Sequence, residues 1–307
     1  MKKNGVLVIG SANMDLVVRT PRFPAPGETL FGSDFGTFPG GKGANQAVAC
    51  AKLGGNVDFV GKVGGDIFGD TLARGMKADG VRLSNLAVDR STPTGIAVIT
   101  VDKNGQNEII VASGSNMNLL PKDIDRVRKA FDGAGILLLQ LEVPLPTVIR
   151  AAEIARSKGV TVILNPAPAQ KLPRRLLRLV DYLTPNETEL QQLSGVKVRG
   201  HSTVVRAAHA LLHQGVGHVI VTMGSAGSLL VEEDAAHLFP AFRVKAVDTT
   251  AAGDAFNGAL AFALASGHPY GEAIPLANAV AALSVTKPGA QSSMPTMKQL
   301  LSFLRGR

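Results

Sequence analysis

The chain has 307 residues, 45% of them hydrophobic and 18% charged, which excludes a disordered chain and is ample for a buried core in one large or two medium domains. Its formal charge of +8 raises nucleic acid as a partner, but the basic residues are scattered, Lys171, Arg174, Arg175 and Arg178 fit a solvated helical face, and with no Trp and two Tyr nothing is interleaved to stack bases. No nucleic-acid partner is therefore expected, and no membrane, because the longest apolar stretches are of strand length, well short of the ~18 residues of a span.

At the N-terminus, MKKNGVLVIGS imitates a signal peptide, yet its apolar run is about five residues against ~7 to 15 in a signal core, so VLVIG (6–10) is expected as a strand. Residues 12–40 carry little helical pattern. A helix is expected over 44–53, then a strand over 57–61 and a helix over 68–78. Residues 92–113 predict a hairpin turning at Lys103, Asn104 and Gly105. Strands GILLLQL (135–141), VTVILN (160–165), DYLTPN (181–186) and HVIVTMG (218–224) then alternate with helices over 147–158, 188–193 and 203–214, followed by helices 253–265 and 271–286. Unbroken apolar strands indicate burial on both faces. The alternation predicts an α/β fold, a doubly wound, mainly parallel sheet flanked by helices. The two non-helical segments, about 12–40 and 92–113, are expected to add either a small inserted β lid or an ordinary sheet edge to this single domain. A single cysteine, Cys50, rules out an internal disulfide and suits a reducing cytoplasm.

Several familiar motifs are missing. Gly40-Gly41-Lys42-Gly43 has Gly where a P-loop needs its magnesium-binding hydroxyl, no G-x-G-x-x-G opens the first helix, and the six histidines lack metal-ligand spacing. The remaining candidates fall at expected strand ends, where α/β sheets place their sites. Gly10 to Asp15 offers Asn13 and Asp15, or an Asx turn. PGGKGANQ leads glycines into a helix bearing Asn45, for close ligand approach or for a tight turn. Glu142 suits sugar hydroxyls or a plain surface loop. In TPNETE, Asn186 and Glu189 form a capping box, or Glu189 holds water around magnesium near a nucleotide phosphate. Thr222 to Gly227 closes a strand with a glycine-rich turn. In VDTTAAGDAFNGAL, Asp254 stands in a first helical turn, serving the helix dipole or acting as a base beside an anion site.

GGKGANQAVA (40–49) resembles the N-terminal signature, and VDTTAAGDAFNGAL (247–260) the C-terminal signature, of the ribokinase-like carbohydrate kinase family. LNPAPA (164–169), TPNETE (184–189), MGSAG (223–227) and KPGAQSS (287–293) extend the likeness along essentially the whole chain. The resemblance implies ATP-dependent phosphorylation of D-ribose at its primary hydroxyl, giving D-ribose 5-phosphate and ADP. Asp254 would be the general base and Ala251, Ala252 and Gly253 the anion hole. Substrate contacts would come from Asn13, Met14, Asp15, Gly41, Lys42, Gly43, Ala44, Asn45 and Glu142. ATP would lie against Asn186, Thr222, Met223, Gly224, Ser225, Ala226, Gly227, Gly253 and Asn278. Mg2+ would be held through water near Glu189, and K+ among Asp248, Thr250, Ser284, Lys287, Gly289 and Ser293. A homodimer through the lid is expected by the same likeness. Two positions depart from the pattern: Ala251 stands where the family loop commonly has Gly, and Asn278 where some members place a His. The rivals are the same chemistry on deoxyribose, fructose or adenosine, and a non-catalytic sugar or nucleotide sensor.

Overall fold

In Gly5–Ile9 every residue is buried, and successive side chains belong to two different cores. The structure, a computed structural model, describes residues 4–306. In chain order its elements are β1 (Gly5–Ile9), β2 (Asn13–Arg19), β3 (Asp34–Gly40), α1 (Lys42–Lys52), β4 (Asn56–Gly64), α2 (Ile67–Ala78), β5 (Arg82–Asp89), β6 (Gly95–Val101) and β7 (Asn107–Ala112). There follow α3 (Pro121–Arg126), β8 (Ala134–Leu139), α4 (Leu145–Ser157), β9 (Thr161–Leu164), α5 (Arg174–Leu177), β10 (Tyr182–Leu183), α6 (Glu187–Ser194), α7 (His201–Leu212) and β11 (His218–Thr222). The chain closes with β12 (Ser228–Val231), β13 (Ala236–Phe239), α8 (Ala252–Ala265), α9 (Tyr270–Ser284) and α10 (Met297–Arg305).

Nine strands form one sheet in the order β13-β12-β11-β10-β9-β8-β1-β4-β5, parallel from β5 to β11 and antiparallel only at β12 and β13. Leu7 and Ile9 join Leu137 and Leu139 under α4, α6 and α7, whereas Val6 and Val8 join Phe59 under α1, α2, α8 and α9. Two covered faces explain the unbroken apolar runs. The chain leaves β1 for β4 on one side and later returns to β8 on the other. The crevice between the loops after β1 and β8 is thus the switch point where such sheets bind ligands.

The expected elements are present, within a few residues at their ends. Differences lie at the sheet margins. The strand expected over 181–186 keeps only Tyr182 and Leu183 as β10, extended by an isolated bridge from Asn186 to Thr222. α5 carries the solvated basic face expected at Arg174, Arg175 and Arg178, whereas β5, β12, β13, α3 and α10 were not among the expected elements, being short or patterned for an edge. Residues 12–40 and 92–113 supply a separate four-stranded sheet, ordered β3-β2-β6-β7, with β2 and β6 parallel. β7 is exposed at all six residues, with Ile109 at 54% and Ile110 at 71%. Among the described residues no helix is long and apolar enough to cross a membrane.

The packing of α8 on α1 brings the two signature segments together. The helices cross at backbone distance on Gly258, where an added Cβ would stand 2.5 Å from the Gln46 carbonyl oxygen and 2.6 Å from the Ala49 Cβ. Gly258→Ala is expected to wedge this crossing open and destabilise the protein by about 1–3 kcal/mol, the ordinary range for overpacking. A lowered chemical-denaturation midpoint would register it, and an unchanged midpoint would show that the helices separate freely.

Candidate active site

Two helix N-termini meet at the crevice, and only one of them is capped by protein. At α1, Gly41 is the N-cap with φ 87°, where a Cβ would lie 2.6 Å from the Asn13 nitrogen, so glycine is dictated by conformation and by contact. The first N–H groups of α1 are then all used. Lys42 N donates to Glu142 Oε2 at 3.0 Å, Gly43 N to Ser11 Oγ at 3.3 Å, and Ala44 N to Ser11 O at 2.8 Å. Ser11 Oγ donates in turn to Glu142 Oε2.

At α8 the arrangement is reversed. The N-cap is Ala251 in the left-handed region, φ 58°, the single non-glycine residue with positive φ among those described. Such a conformation costs an L-residue about 1–2 kcal/mol. Ala252 N makes one long bond, 3.3 Å, to Thr249 O, and the N–H groups of Gly253 and Asp254 have no partner among the described residues. These donors border a cavity of about 190 Å3 whose wall also includes Lys42, Asn186, Glu189, Thr222 and Asp254. An unfilled helix N-terminus carries roughly half a positive charge and favours an anion.

Asp254 is 5% exposed, and both of its oxygens are held from α1: Oδ2 by Asn45 Nδ2 and Oδ1 by Gln46 Nε2, each at 2.9 Å. With its nitrogen so committed, Asn45 Oδ1 is left buried and without a partner among the described residues. Asn13 is fixed the other way round, its Oδ1 accepting from Asn116 Nδ2 at 2.7 Å. Outside the wall of that cavity, next to Lys42 and Asp254, there are thus an amide donor at Asn13, an amide acceptor at Asn45 and carboxylates at Asp15 and Glu142, a set suited to hydroxyl groups. Burial, with the charges of Glu142 and Asp254 nearby, pushes the Asp15 carboxyl up to about 7 against the opposing pull of Lys42. The Lys42 ammonium is driven upward, chiefly by Asp254, despite its burial. Met14 and Ala44, expected among the substrate contacts, are 2% and 0% exposed and belong to the apolar core.

At TPNETE the capping box is formed. Asn186 Oδ1 accepts from Glu189 N at 2.8 Å and Glu189 Oε2 accepts from Asn186 N at 2.9 Å, a capping box whose members also line the cavity. Burial raises the Glu189 carboxyl. A half-buried carboxylate left with one unengaged oxygen suits a hydrated divalent cation, which takes one or two carboxylates and otherwise keeps water and phosphate. Thr222 ends β11 at the cavity, and Met223 leads into a 3-10 turn, Gly224–Ala226, closed by Gly227. Asn278 is 6% exposed and braced at both ends of its amide, accepting from Ser228 Oγ and donating to Phe239 O, each at 3.1 Å.

The expected cation residues come together from two segments. Asp248 Oδ1 accepts from Thr250 N at 2.9 Å and Oδ2 from Gly289 N at 2.8 Å, and these bonds hold its carboxyl low despite burial. Ser284 and Ser293 are 0% and 1% exposed beside the Lys287 to Gly289 turn. No cluster of three His, Cys, Asp or Glu occurs among the described residues, so the donors are carbonyls, hydroxyls and one carboxylate. That composition fits a large monovalent cation, which accepts carbonyl oxygens in place of its hydration shell.

Six residues that hold this site escaped the sequence: Ser11, Gln46, Asn116, Gln140, Asn165 and Asn257. Asn165 and Asn257 line the cavity and Gln46 holds Asp254, which also lines it, while Ser11, Asn116 and Gln140 hold Glu142, Asn13 and Gln46 in turn. The signal, visible only in retrospect, is an amide interrupting an apolar run, as Gln140 interrupts GILLLQL.

The chain matches the pfkB family carbohydrate kinase profile over residues 3–297. It is 43% identical over 297 residues to the ribokinase of Haemophilus influenzae, spanning 97% of each chain. It is 41% identical over 300 residues to a deoxyribokinase of Salmonella typhi, spanning 97% of this chain and 98% of that one. Among solved structures, the ribokinase of Arabidopsis thaliana complexed with ribose and ATP superposes with a TM-score of 0.93 at 37% identity, covering 98% of both chains.

The Asp15 carboxyl carries a stability signature. Its proton is held more tightly in the fold than in the unfolded chain, so the associated stability is present at low pH and is lost as pH rises from near 3.8 to about 7. The melting temperature of Asp15→Asn should therefore match the wild type near the low end, climb above it across that window, and keep its lead at higher pH. Parallel melting curves at all pH values would show that the charge is not confined in this way.

Proposed function

The chain belongs to the pfkB family of carbohydrate kinases, and from that premise we propose that it transfers the γ-phosphoryl group of ATP to the primary hydroxyl of D-ribose, giving D-ribose 5-phosphate and ADP. The observation that carries this reading is the pairing of a buried carboxylate, Asp254, with the unfilled N–H groups at the start of its own helix. Phosphoryl transfer needs little covalent chemistry from a protein; it needs positioning and a place for the charge that grows on the transferred group.

Ribose seats its hydroxyls on the donor at Asn13, the acceptor at Asn45 and the carboxylates of Asp15 and Glu142. Its primary hydroxyl then faces Asp254, which takes the proton as the oxygen attacks the γ-phosphorus in line. A new O–P bond forms, the bond to the bridging oxygen breaks, and ADP departs with the electron pair. The N–H groups of the 251–254 loop, reinforced by Lys42, receive the equatorial oxygens. Bare side chains at Ala251, Ala252 and Gly253 leave those donors open.

Mg2+, near Glu189 and Asn186, would neutralise charge on the phosphates when bound. K+, beside Asp248, would brace the loop that presents the anion-binding N–H groups without meeting substrate. We assign the four-stranded sheet as a lid, because β2 leaves the sugar wall at Asn13 and β3 returns to it at Gly40. A lid excludes water, which would otherwise compete for the phosphoryl group. The exposed apolar face of β7 suits pairing with a second lid, so the lid also serves as the homodimer interface. We place the reaction in the cytoplasm, where ATP is present and a reduced, buried Cys50 is at home.

The similarity to a deoxyribokinase supports a second reading in which 2-deoxyribose is the acceptor. ADP release measured with ribose, deoxyribose, fructose and adenosine, with and without potassium, separates the two: ribose is expected to be preferred, and potassium to raise turnover. Asp254→Asn should lower kcat by at least ~10²-fold while leaving the fold intact, the low end for loss of a general base. Near-normal turnover by that variant would remove Asp254 from the mechanism. Light scattering at micromolar concentration should show a dimer that Ile110→Lys converts to monomer. A wild-type monomer would dispose of the lid interface.

A further inference from the structure

The carboxylate of Asp254 is tied into a closed circuit of buried amides. Gln46 uses one hydrogen of its Nε2 on Asp254 Oδ1 at 2.9 Å and the other on Asn165 Oδ1 at 3.1 Å, while its Oε1 accepts from Gln140 Nε2 at 2.6 Å. From Asn165 the circuit continues through Nδ2 to Thr184 O at 3.1 Å, from Thr184 Oγ1 to Asn257 Oδ1 at 2.6 Å, and from Asn257 Nδ2 to Gly253 O at 2.8 Å. It thus ends on the residue next to the one where it began. Gln46, Gln140, Asn257 and Thr184 are each at most 1% exposed.

The polarity of this circuit is set at one end. A carboxylate accepts only, so Gln46 must turn its nitrogen to Asp254, its oxygen must then face Gln140, and Gln140 must donate. The cost falls at the far end, where Gln140 Oε1 is buried with no partner among the described residues. An orphaned buried acceptor is expensive to leave unmade and is tolerated here beside the reacting centre.

We infer that Gln46, backed by Gln140, is a positioning residue that fixes the orientation of the Asp254 carboxylate and couples it to the backbone of the anion-binding loop. The inference rests on the kinase reading above. Asn45 holds the other oxygen from the neighbouring position on α1, so together the two amides leave the carboxylate no rotational freedom. The charged groups facing it are Lys42 on α1, Asp15 on β2 and Glu189 on α6, with Glu142 behind Asp15. None of them donates to Oδ1.

Gln46→Met, of similar length and without donors, tests the assignment. Its kcat for ribose should fall about 10- to 100-fold, the scale of a misplaced catalytic group, while KM for ribose and ATP stays within about twofold. Gln140→Met, which leaves Gln46 in place and frees its oxygen, should act in the same direction more weakly and serves where the first variant does not fold. In the Asp254→Asn background, Gln46→Met should cost nothing further, since its effect passes through Asp254. A full additional loss there, a rise in KM instead of a fall in kcat, or unchanged kinetics in a folded variant would overturn the inference. If the wild type lacks phosphotransferase activity altogether, the kinase reading fails and this assignment falls with it.

Discussion

A negative charge buried at the beginning of a helix governs much of this molecule. Asp254 is almost wholly withdrawn from solvent, and a carboxylate there persists only if donors reach it. Those donors lie on α1, so α1 and α8 must approach to side-chain amide range, and the small residues along both helices allow it. Gly258, one turn beyond Asp254, is where the approach is closest. The left-handed Ala251, the amide circuit and the orphaned oxygen of Gln140 follow from the same demand, each a local violation of a preference that the surrounding packing over-determines.

The site around that charge is crowded with its own kind. Asp15, Glu142, Glu189 and Asp254 surround a single half-buried ammonium, Lys42. Only some of these carboxylates are well served: Glu142 caps α1, Glu189 completes the capping box of α6, and Asp15 has its charge suppressed by burial and by its neighbours. A neutral polyol supplies hydroxyl donors to this excess of acceptors, and a polyanion with its cations meets the lysine and the open N–H groups. The division of the crevice into an acceptor-rich half and a donor-rich half is the physical basis for placing the two substrates.

Most of the central sheet was legible because its strands are covered on both faces and their apolar runs are unbroken. β5 escaped because an edge strand such as RLSNLAVD is half-exposed and dilutes its own signal. β12 and β13 escaped because they are four residues each and lie beyond the last crossover helix. In the site, Asp254, Lys42 and Asn45 stood out because loops and helix starts announce themselves through glycine and the absence of bulky side chains. Gln46, Gln140, Asn165 and Asn257 did not, since an amide inside an apolar helix or strand has no local pattern. Its meaning depends on a partner that is distant in sequence. TPNETE showed the opposite limit: the capping box was legible from six consecutive residues, because both of its partners lie within them.

The open edge of the small sheet has a consequence for the life of the chain before it is an enzyme. β7 carries Asn107-Glu108-Ile109-Ile110-Val111-Ala112 with every residue exposed, and its outer backbone groups face no further strand of the sheet. A strand edge of this composition accepts whatever extended segment arrives first, and Glu108 is the one charge standing guard within it. An uncovered edge of this kind is where one chain would begin to pair with another, so a second charge within β7 is the change that would blunt it.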